Sequence, residues 1–600
     1  FDTLQQGISF YENYARVSGF DTRLYFTKKR KSDGKISLKY CVCNKEGFRE
    51  TPRLQSNCKK KRPITRMGCN ARITIKLIND QDNYIIFSFH EGHTHPLTTP
   101  NSAHHSKQSR NLTLAHKKYI MDNSRANIGA TKSYRLMKEH VGGYHNMAAS
   151  VSDFKNFQRD IRKHIRGKDA QMLIENFKRK QEMCSSFFFK YEVDDKQHLI
   201  RVFWADAIGR KNYASFGDVV SFDTTFSMNE YCMVFDPFTG VDNSKSCVTF
   251  AAALLYREDT ESFVWLFEAF RAAMSDCDPT CIITYQDPAM KIAIERVPEK
   301  VGPTLAQNED FMSEFCNCVW SKHTEPEEFD EIRDDWIPSY YRNMPMSGVM
   351  RTTSRSESEN NFFGHFTTPH VTLLEFWMRY ESAMDSQRHK QSKLLSQSKN
   401  SKPQRKTPLD LEKHTSELYT HTIFYEFQNE LLAACFNCGL HMILDENIQI
   451  VTLIDHKRNS KMHTVRHHLE NNNAECTCKM YEREGIPCRH ILWVIKEKGL
   501  KSLPTAYIET RWTKAAMNMP MFDLGGNLIE DTTNMEVVKK KVGHLWSEIF
   551  TCVSMAENNE DCLDDFMKLI DGFKQSLLSR GNLQASGDKG KQMETLLDCP

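Results

Sequence analysis

Cys476-Thr477-Cys478, nine further residues and then Cys488-Arg489-His490 constrain this 600-residue chain more than any other feature. Three thiolates and one imidazole complete a tetrahedral set for Zn²⁺ and leave no position open to substrate, so the pattern points to a structural site rather than a catalytic one. Two ligand pairs this close are seldom met by chance. Gly485-Ile486-Pro487 predicts a turn between them, and Ile491 to Ile495 a buried run behind the last ligand.

Six hundred residues exceed what one core can organise, so three or more domains are expected. Apolar stretches such as 248–256 are too short to cross a bilayer, which sets membrane partners aside. No secretory segment is visible. The chain opens on Phe1 rather than methionine, so a targeting segment before it stays open. The 19 cysteines are odd in number and scattered, which suits a reducing compartment with metal sites rather than a disulfide framework. Cys316/Cys318, Cys435/Cys438 and Cys277/Cys281 have no second half with matching spacing and read as ordinary thiols.

The net charge of +3 hides an asymmetry: residues 23–76 hold 17 Lys/Arg against three acids, so the remainder sums to −11. A basic block inside a foldable segment is the footprint of a polyanion partner. The block overlaps a second metal-like pattern, Cys43, Cys69 and His93-Thr94-His95, with Cys41 and Cys58 as alternatives to Cys43. Residues 71–78 alternate, with Arg72, Thr74 and Lys76 on one face and Ile73, Ile75 and Leu77 on the other; 83–89 alternate similarly. Two such strands predict a half-buried sheet whose basic face, Arg72 and Lys76 foremost, lies against phosphates or in a major groove. Lys59-Lys60-Lys61-Arg62 reads as a loop suited to phosphate contact or nuclear import.

Phe10-Tyr11-Glu12-Asn13-Tyr14-Ala15, Gly19-Phe20, Cys43-Asn-Lys-Glu-Gly-Phe48, Gly68-Cys69-Asn-Ala71 and His93-Thr-His95 resemble the N-terminal domain of the plant far-red-impaired-response family. That domain is a zinc finger related to WRKY and GCM folds. The resemblance implies zinc at Cys43, Cys69, His93 and His95 and sequence-specific binding of double-stranded DNA by the sheet.

A charged helical segment runs to about residue 180, after which strand signals return at 217–223, 231–235 and 247–256. A helix at 261–274, a strand at 281–285 and a helix from Pro288 complete the order of a ribonuclease-H-like α/β domain. Phe222-Asp223-Thr224-Thr225-Phe226, Phe263-Val264-Trp265-Leu266-Phe267 and Ile283-Thr284-Tyr285-Gln286-Asp287-Pro288 resemble the Mutator-like transposase domain of the same family. Nucleases of this shape hold two divalent ions between three carboxylates for in-line phosphoryl displacement. Asp223 matches the first acid and Glu328 is a candidate third, but Tyr285 stands where the related pattern has an acid. A phenol of reference pKa ~10 is a poor Mg²⁺ ligand. Asp287 lies two residues further, about 6–7 Å along an extended chain, too far for the two-metal geometry. Two stretches of the related domain are also missing, after Val297 and between Asp330 and Arg333, so the domain is expected to be truncated. Thr353 to Asn360 again matches the family.

Polar residues 396–408 read as a linker, and strand-like 448–454 and 462–468 lead into the four-ligand cluster. Cys476-x-Cys478 with Gly485-Ile-Pro-Cys-Arg-His490 resembles the SWIM zinc finger, which follows the transposase-like domain in this family; Arg511-Trp512-Thr513-Lys514 also fits. The expected organisation is a multidomain α+β and α/β chain with a zinc-stabilised β-sheet domain at 1–110, a helical linker region at 111–209 and a transposase-derived domain at 210–395. A linker at 396–410, a SWIM region at 411–520 and a helical tail with a disordered end at 521–600 follow.

The function implied is a nuclear DNA-binding regulator of transcription with two structural zincs and lost catalytic acids, similar to regulators of light signalling. Other regulators and a homo- or heterodimer are its expected protein partners. An active transposase, and a scaffold that no longer binds DNA, are the alternatives.

Overall fold

The computed structural model describes residues 1–31, 34–48, 65–78, 83–98, 112–147, 149–222, 226–227, 229–275, 277–284, 288–296, 346, 348–349, 362–365, 371–444, 448–456, 461–469, 473–518, 534–556 and 559–579. Asp223, Tyr285, Asp287, Glu328, Cys58, Cys316, Cys318 and the run Lys59, Lys60, Lys61, Arg62 lie outside these residues. So do the two points at which family segments are missing and the terminal stretch 580–600.

Helix α1 (Leu4–Ser18) opens on a capping box, with Thr3 accepting from the Gln6 amide and the Gln6 side chain returning to the Thr3 amide. It packs Ile8, Tyr11 and Ala15 on an antiparallel meander of β1 (Thr22–Lys29), β2 (Ile36–Cys43), β3 (Arg72–Leu77) and β4 (Tyr84–His90). In β3 the expected apolar face is buried, Arg72 and Lys76 are exposed, and Thr74 is buried, accepting from the Ser88 hydroxyl at 2.8 Å. In β4 the expected alternation fails. Thr74 pairs with Ser88 but Ile75 pairs with Ile86, so Phe87 is an extra residue. Such a bulge shifts side chains between faces, and Ile85, Ile86 and Phe87 all reach solvent.

Helices α2 (Leu114–Arg125), α3 (Ala130–His140), α4 (Val151–Ile165) and α5 (Asp169–Met183) follow. The helical linker expected over 111–209 stops short of its boundary. Strands β5 (Phe188–Val193) and β6 (Leu199–Ala205) form a hairpin that belongs to the central sheet, because β6 pairs Trp204 with Ala252 and Arg201 with Leu255.

That sheet adds α6 (Ala207–Phe216), β7 (Val219–Phe222), β8 (Phe226–Ser227), β9 (Val234–Val241), β10 (Cys247–Leu255), α7 (Thr260–Ala273), β11 (Cys281–Thr284) and α8 (Pro288–Arg296). Its order is β11-β7-β9-β10-β6-β5, with β8 pairing β9, and β11 runs parallel to β7. The β10-β9-β7-β11 part has the expected ribonuclease-H-like order, and the β6-β5 hairpin widens it beyond β10. One face buries Phe216, Phe222, Phe238, Phe250, Phe267 and Phe270 under α6, α7 and α8. Helix α6 sits close because Gly209 has no side chain; a Cβ there would stand 2.2 Å from the Phe250 carbonyl oxygen. The other face buries Phe177, Trp204, Phe235, Trp377 and Tyr380 beneath α5 and the long helix α9 (Leu373–Asn400).

The linker expected at 396–410 is shorter and more ordered than its composition suggests. Helix α9 continues to Asn400, and the buried Glu412 carboxylate accepts from the amides of Lys406 at 2.9 Å and Thr407 at 2.7 Å. Then come α10 (Asp410–Leu418), α11 (His421–Phe436), β12 (Cys438–Leu444), β13 (Gln449–Asp455), β14 (Lys461–His467) and β15 (Ala474–Cys476) in one antiparallel sheet, α12 (Met480–Glu484) and α13 (Arg489–Glu497). Their core includes Leu453, Cys488, Ile491 and Trp512, and it is continuous with Val219, Val241 and Cys281 of the central sheet. Polar contacts lock the join. Arg511 donates to the Val241 carbonyl at 2.7 Å and pairs with Asp218, while the Asn243 amide donates to the Thr513 carbonyl at 2.9 Å. Exposed helices α14 (Asn534–Ala556) and α15 (Glu560–Ser579) end the described chain; no described helix is long and apolar enough to cross a membrane.

Because the Arg511 side chain is 4% exposed, Arg511→Ala removes a nearly buried cation from two acceptors. It is expected to destabilise the chain by about 3 kcal/mol, read from the denaturant midpoint. Asp218→Asn, at a side chain 28% exposed, is expected to cost less, about 1 kcal/mol.

Candidate metal centres and nucleic-acid interface

Two groups of Cys and His side chains converge in the described residues: Cys43, Cys69, His93 and His95, and Cys476, Cys478, Cys488 and His490. In each, the four ligand-type atoms lie within 4.8 Å of one another. In the first group Cys43 ends β2, Cys69 precedes β3 and the histidines follow β4, so the sheet itself brings the four together. Cys43 Sγ is 3.3 Å from His95 Nε2, Cys69 Sγ is 3.4 Å from His93 Nδ1, and the two nitrogens are 3.2 Å apart. His95 Nδ1 lies 2.9 Å from the Pro96 carbonyl oxygen, which can only accept, so the proton sits on Nδ1 and the Nε2 lone pair faces the sulfurs. Phe20 packs on His93 with ring centroids 4.3 Å apart. Cys41, two residues earlier on the same face of β2, is buried beneath α1 and does not join the four.

Burial pushes the Cys43 thiol up to about 11, and burial likewise lowers the His93 imidazole. A bare site therefore holds protons that a divalent cation displaces. The donor set and the small cluster size suit Zn²⁺, which ties the strand ends of a module whose core cluster is ten residues.

The second group is built on a hairpin end and a helix start. Cys476 closes β15, and its sulfur accepts from the Cys478 amide at 3.4 Å. Lys479 takes a left-handed backbone at φ 54° to begin α12. Gly485 at φ 65° ends that helix where a Cβ would stand 2.8 Å from Trp512 Nε1, so the turn requires glycine. Cys488 caps α13, its sulfur accepting from the Ile491 amide at 3.5 Å, and the next turn presents His490, whose Nδ1 is 3.5 Å from Cys476 Sγ. Hydrogen bonds from Cys476 and Cys488 hold the Cys478 thiol far below its ordinary range, while burial drives Cys488 well above it. Without a cation the three sulfurs thus share one negative charge; a divalent ion lets all three ionise.

Two supporting acids escape a reading by spacing. Glu430 receives Arg489 through Nε at 3.0 Å and Nη2 at 2.7 Å, and the Arg489 amide at 2.9 Å, clamping the residue between two ligands. Fully buried Asp455 takes Arg489 Nη1 at 3.2 Å and lies 3.9 Å from His490 Nε2, orienting the imidazole. A charged residue at an inward position of the apolar helix 421–436 is the one signal that marks Glu430. The pairs Cys277/Cys281 and Cys435/Cys438 form no metal group among the described residues.

On the N-terminal sheet, Arg72 and Lys76 share the face opposite α1. Lys76 Nζ sits 4.9 Å over the bulged Phe87 ring, and Arg23 lies 5.0 Å over Tyr25 on the edge strand β1. Cations laid on exposed aromatic rings make a surface suited to phosphates and bases.

Metal analysis of the purified full chain is expected to give two zinc ions per chain, with Cys69→Ser and Cys488→Ser each reducing the count to one. Chelation is expected to unfold the N-terminal sheet, since structural zinc contributes on the order of 10 kcal/mol to folding; proteolysis within residues 1–98 after chelator treatment reads this out.

Comparison with known proteins accords with this geometry. Residues 9–99 match the FAR1 DNA-binding domain, 219–305 the MULE transposase domain and 467–499 the SWIM zinc finger. The chain is 30% identical to Protein FAR1-RELATED SEQUENCE 5 of Arabidopsis thaliana, over 100% of this chain and 82% of that protein. It is 28% identical to Protein FAR-RED IMPAIRED RESPONSE 1 of the same plant, over 88% of this chain and 68% of that protein. No solved structure matches. With its identity to a relative extending over the whole chain and three domains in this order, the chain belongs to the far-red-impaired-response family of FAR1-related sequences.

Proposed function

We propose that this protein is a nuclear, zinc-dependent regulator of transcription, derived from a transposase, that reads duplex DNA with its N-terminal sheet. The observation that carries the reading is the match of residues 9–99 to a DNA-binding domain on a segment where a strongly basic face and a Cys/His cluster coincide. In this reading Cys43, Cys69, His93 and His95 hold one zinc and Cys476, Cys478, Cys488 and His490 the other. Zinc supplies a rigid cross-link at each site. Arg72 and Lys76 touch DNA, joined by Lys59, Lys60, Lys61 and Arg62. Residues 1–110 form the reading domain, 210–395 the transposase-derived domain with the β5–β6 hairpin added, and 411–520 the finger region.

The same reading holds that catalysis is lost, because Tyr285 replaces an acid that divalent ions need beside Asp223. The name of the FAR-RED IMPAIRED RESPONSE relative supports a role in light signalling. Dimerisation and contact with other regulators belong to this reading as well.

Selection from a random duplex pool by the full chain is expected to yield one enriched motif. Cys69→Ser is expected to reduce affinity for it at least 100-fold, to the level of salt-sensitive non-specific binding. Association without any preferred sequence would instead favour a scaffold role. An active transposase is the second reading, favoured by the match of 219–305 to a transposase domain. Incubation with Mg²⁺ or Mn²⁺ is expected to give no nicking or strand transfer. Activity abolished by Asp223→Ala would establish the second reading.

A further inference from the structure

Residues 112–168 lie between the segments matched to known domains and carry 12 Lys/Arg against four acids. They form a packed unit of three helices. Helix α2 joins α3 through four residues ending at Gly129, with Ile128 N donating to the Asn123 carbonyl at 2.8 Å. Such a connection is that of a helix-turn-helix. Helix α4 closes the unit by burying Phe154, Phe157, Ile161 and Ile165. Phe154 meets Tyr134 of α3 edge-on at 5.4 Å and His116 of α2 at 6.3 Å.

The burial of those four positions decides what α4 shows to solvent. Lys155, Arg159, Arg162 and Lys163 are all exposed, at i, i+4, i+7 and i+8, on one stripe of the helix. Lys155–Arg159 and Arg159–Lys163 are like-charged neighbours at i, i+4, a spacing that destabilises a helix by itself. Surface helices ordinarily interleave signs at this spacing, as α15 does with Asp565 beside Lys568 at 2.9 Å. On α4 the acids do not relieve the stripe. Asp153 turns back to bond Ser150 at 2.7 Å, and Asp160 meets Arg159 alone, at 3.1 Å. A repelling stripe on a well-packed helix is stabilised when a regular polyanion lies along it.

We propose that the stripe Lys155, Arg159, Arg162 and Lys163 of α4 is a second DNA-contacting surface, which binds backbone phosphates of the duplex without reading bases. It rests on the reading that the chain binds duplex DNA. The N-terminal sheet then sets which sequence is bound, and α4 extends the contact along flanking DNA. Four cations spaced along about 12 Å of helix, at 1.5 Å per residue, match a row of phosphates better than a single anion.

The test uses the full chain and the duplex it selects, with affinity measured by fluorescence anisotropy across a salt series. A variant carrying Lys155→Gln, Arg159→Gln, Arg162→Gln and Lys163→Gln is expected to lower the slope of log affinity against log salt by about 3, at about 0.9 per phosphate lost. The enriched motif is expected to stay the same. The pairs Lys155→Gln/Arg159→Gln and Arg162→Gln/Lys163→Gln, each milder to the fold, are expected to lower the slope by about half as much. Arg159→Lys with Arg162→Lys is expected to keep the wild-type slope. An unchanged slope in the fourfold variant, with circular dichroism showing its helices intact, overturns the proposal. Loss of binding to poly-glutamate with no change toward DNA also overturns it, in favour of an acidic protein partner. Failure of the wild-type chain to bind any duplex defeats the underlying DNA reading instead, so the two failures are distinguishable.

Discussion

Buried thiols packed within 4.8 Å of one another cannot all ionise unless a cation stands between them. Both ends of this chain are organised around that constraint. At the N-terminus the sheet is a short meander with a single helix on it, and its cluster of ten buried residues is too small to fix strand ends by apolar packing alone. At the C-terminus the ligands come from a strand end and a helix cap, and buried Glu430 and Asp455 hold the residues around them. The two centres answer the same problem differently. The first substitutes for a core; the second is embedded in one.

The middle of the chain needs no such help. Its sheet is covered on both faces, with aromatic side chains dominating each core. Edge-to-face contacts such as Phe177 with Trp377 at 4.6 Å give these layers defined geometry as well as buried area. Parallel pairing of β7 with β11 keeps the strand arrangement of a phosphoryl-transfer fold. A scaffold can outlast its chemistry, because packing depends on Phe222 and Phe238 and not on the acids beside them.

Features set by local spacing were legible in the sequence; features set by remote partners were not. The C-x-C and C-x-H pairs forecast that their ligands lie together, because each pair sits on one turn or one helix start. The strand order of the central sheet followed from alternating strand and helix signals. The β5–β6 hairpin was missed because strand membership depends on pairing with β10, some 50 residues later, at Trp204 opposite Ala252. The bulge at Phe87 broke a period-two pattern that the residues 83–89 do display. Glu430 lies 59 residues from Arg489, and no motif connects them. Residues 396–410 were read as a linker from polar composition, yet Glu412 supplies acceptors for the very amides that composition leaves unpaired.

The shared core of the finger region and the central sheet bears on how such a gene can change. Val219, Val241 and Cys281 are covered by residues more than a hundred positions further along. A transcript ending before residue 411 would present those strands' apolar edge to water, a surface prone to self-association. The finger therefore cannot be shed or exchanged as a cassette in the way its compact motif suggests. Splicing, truncation and recombination are confined to the two ends, where the chain can lose sequence without opening a core.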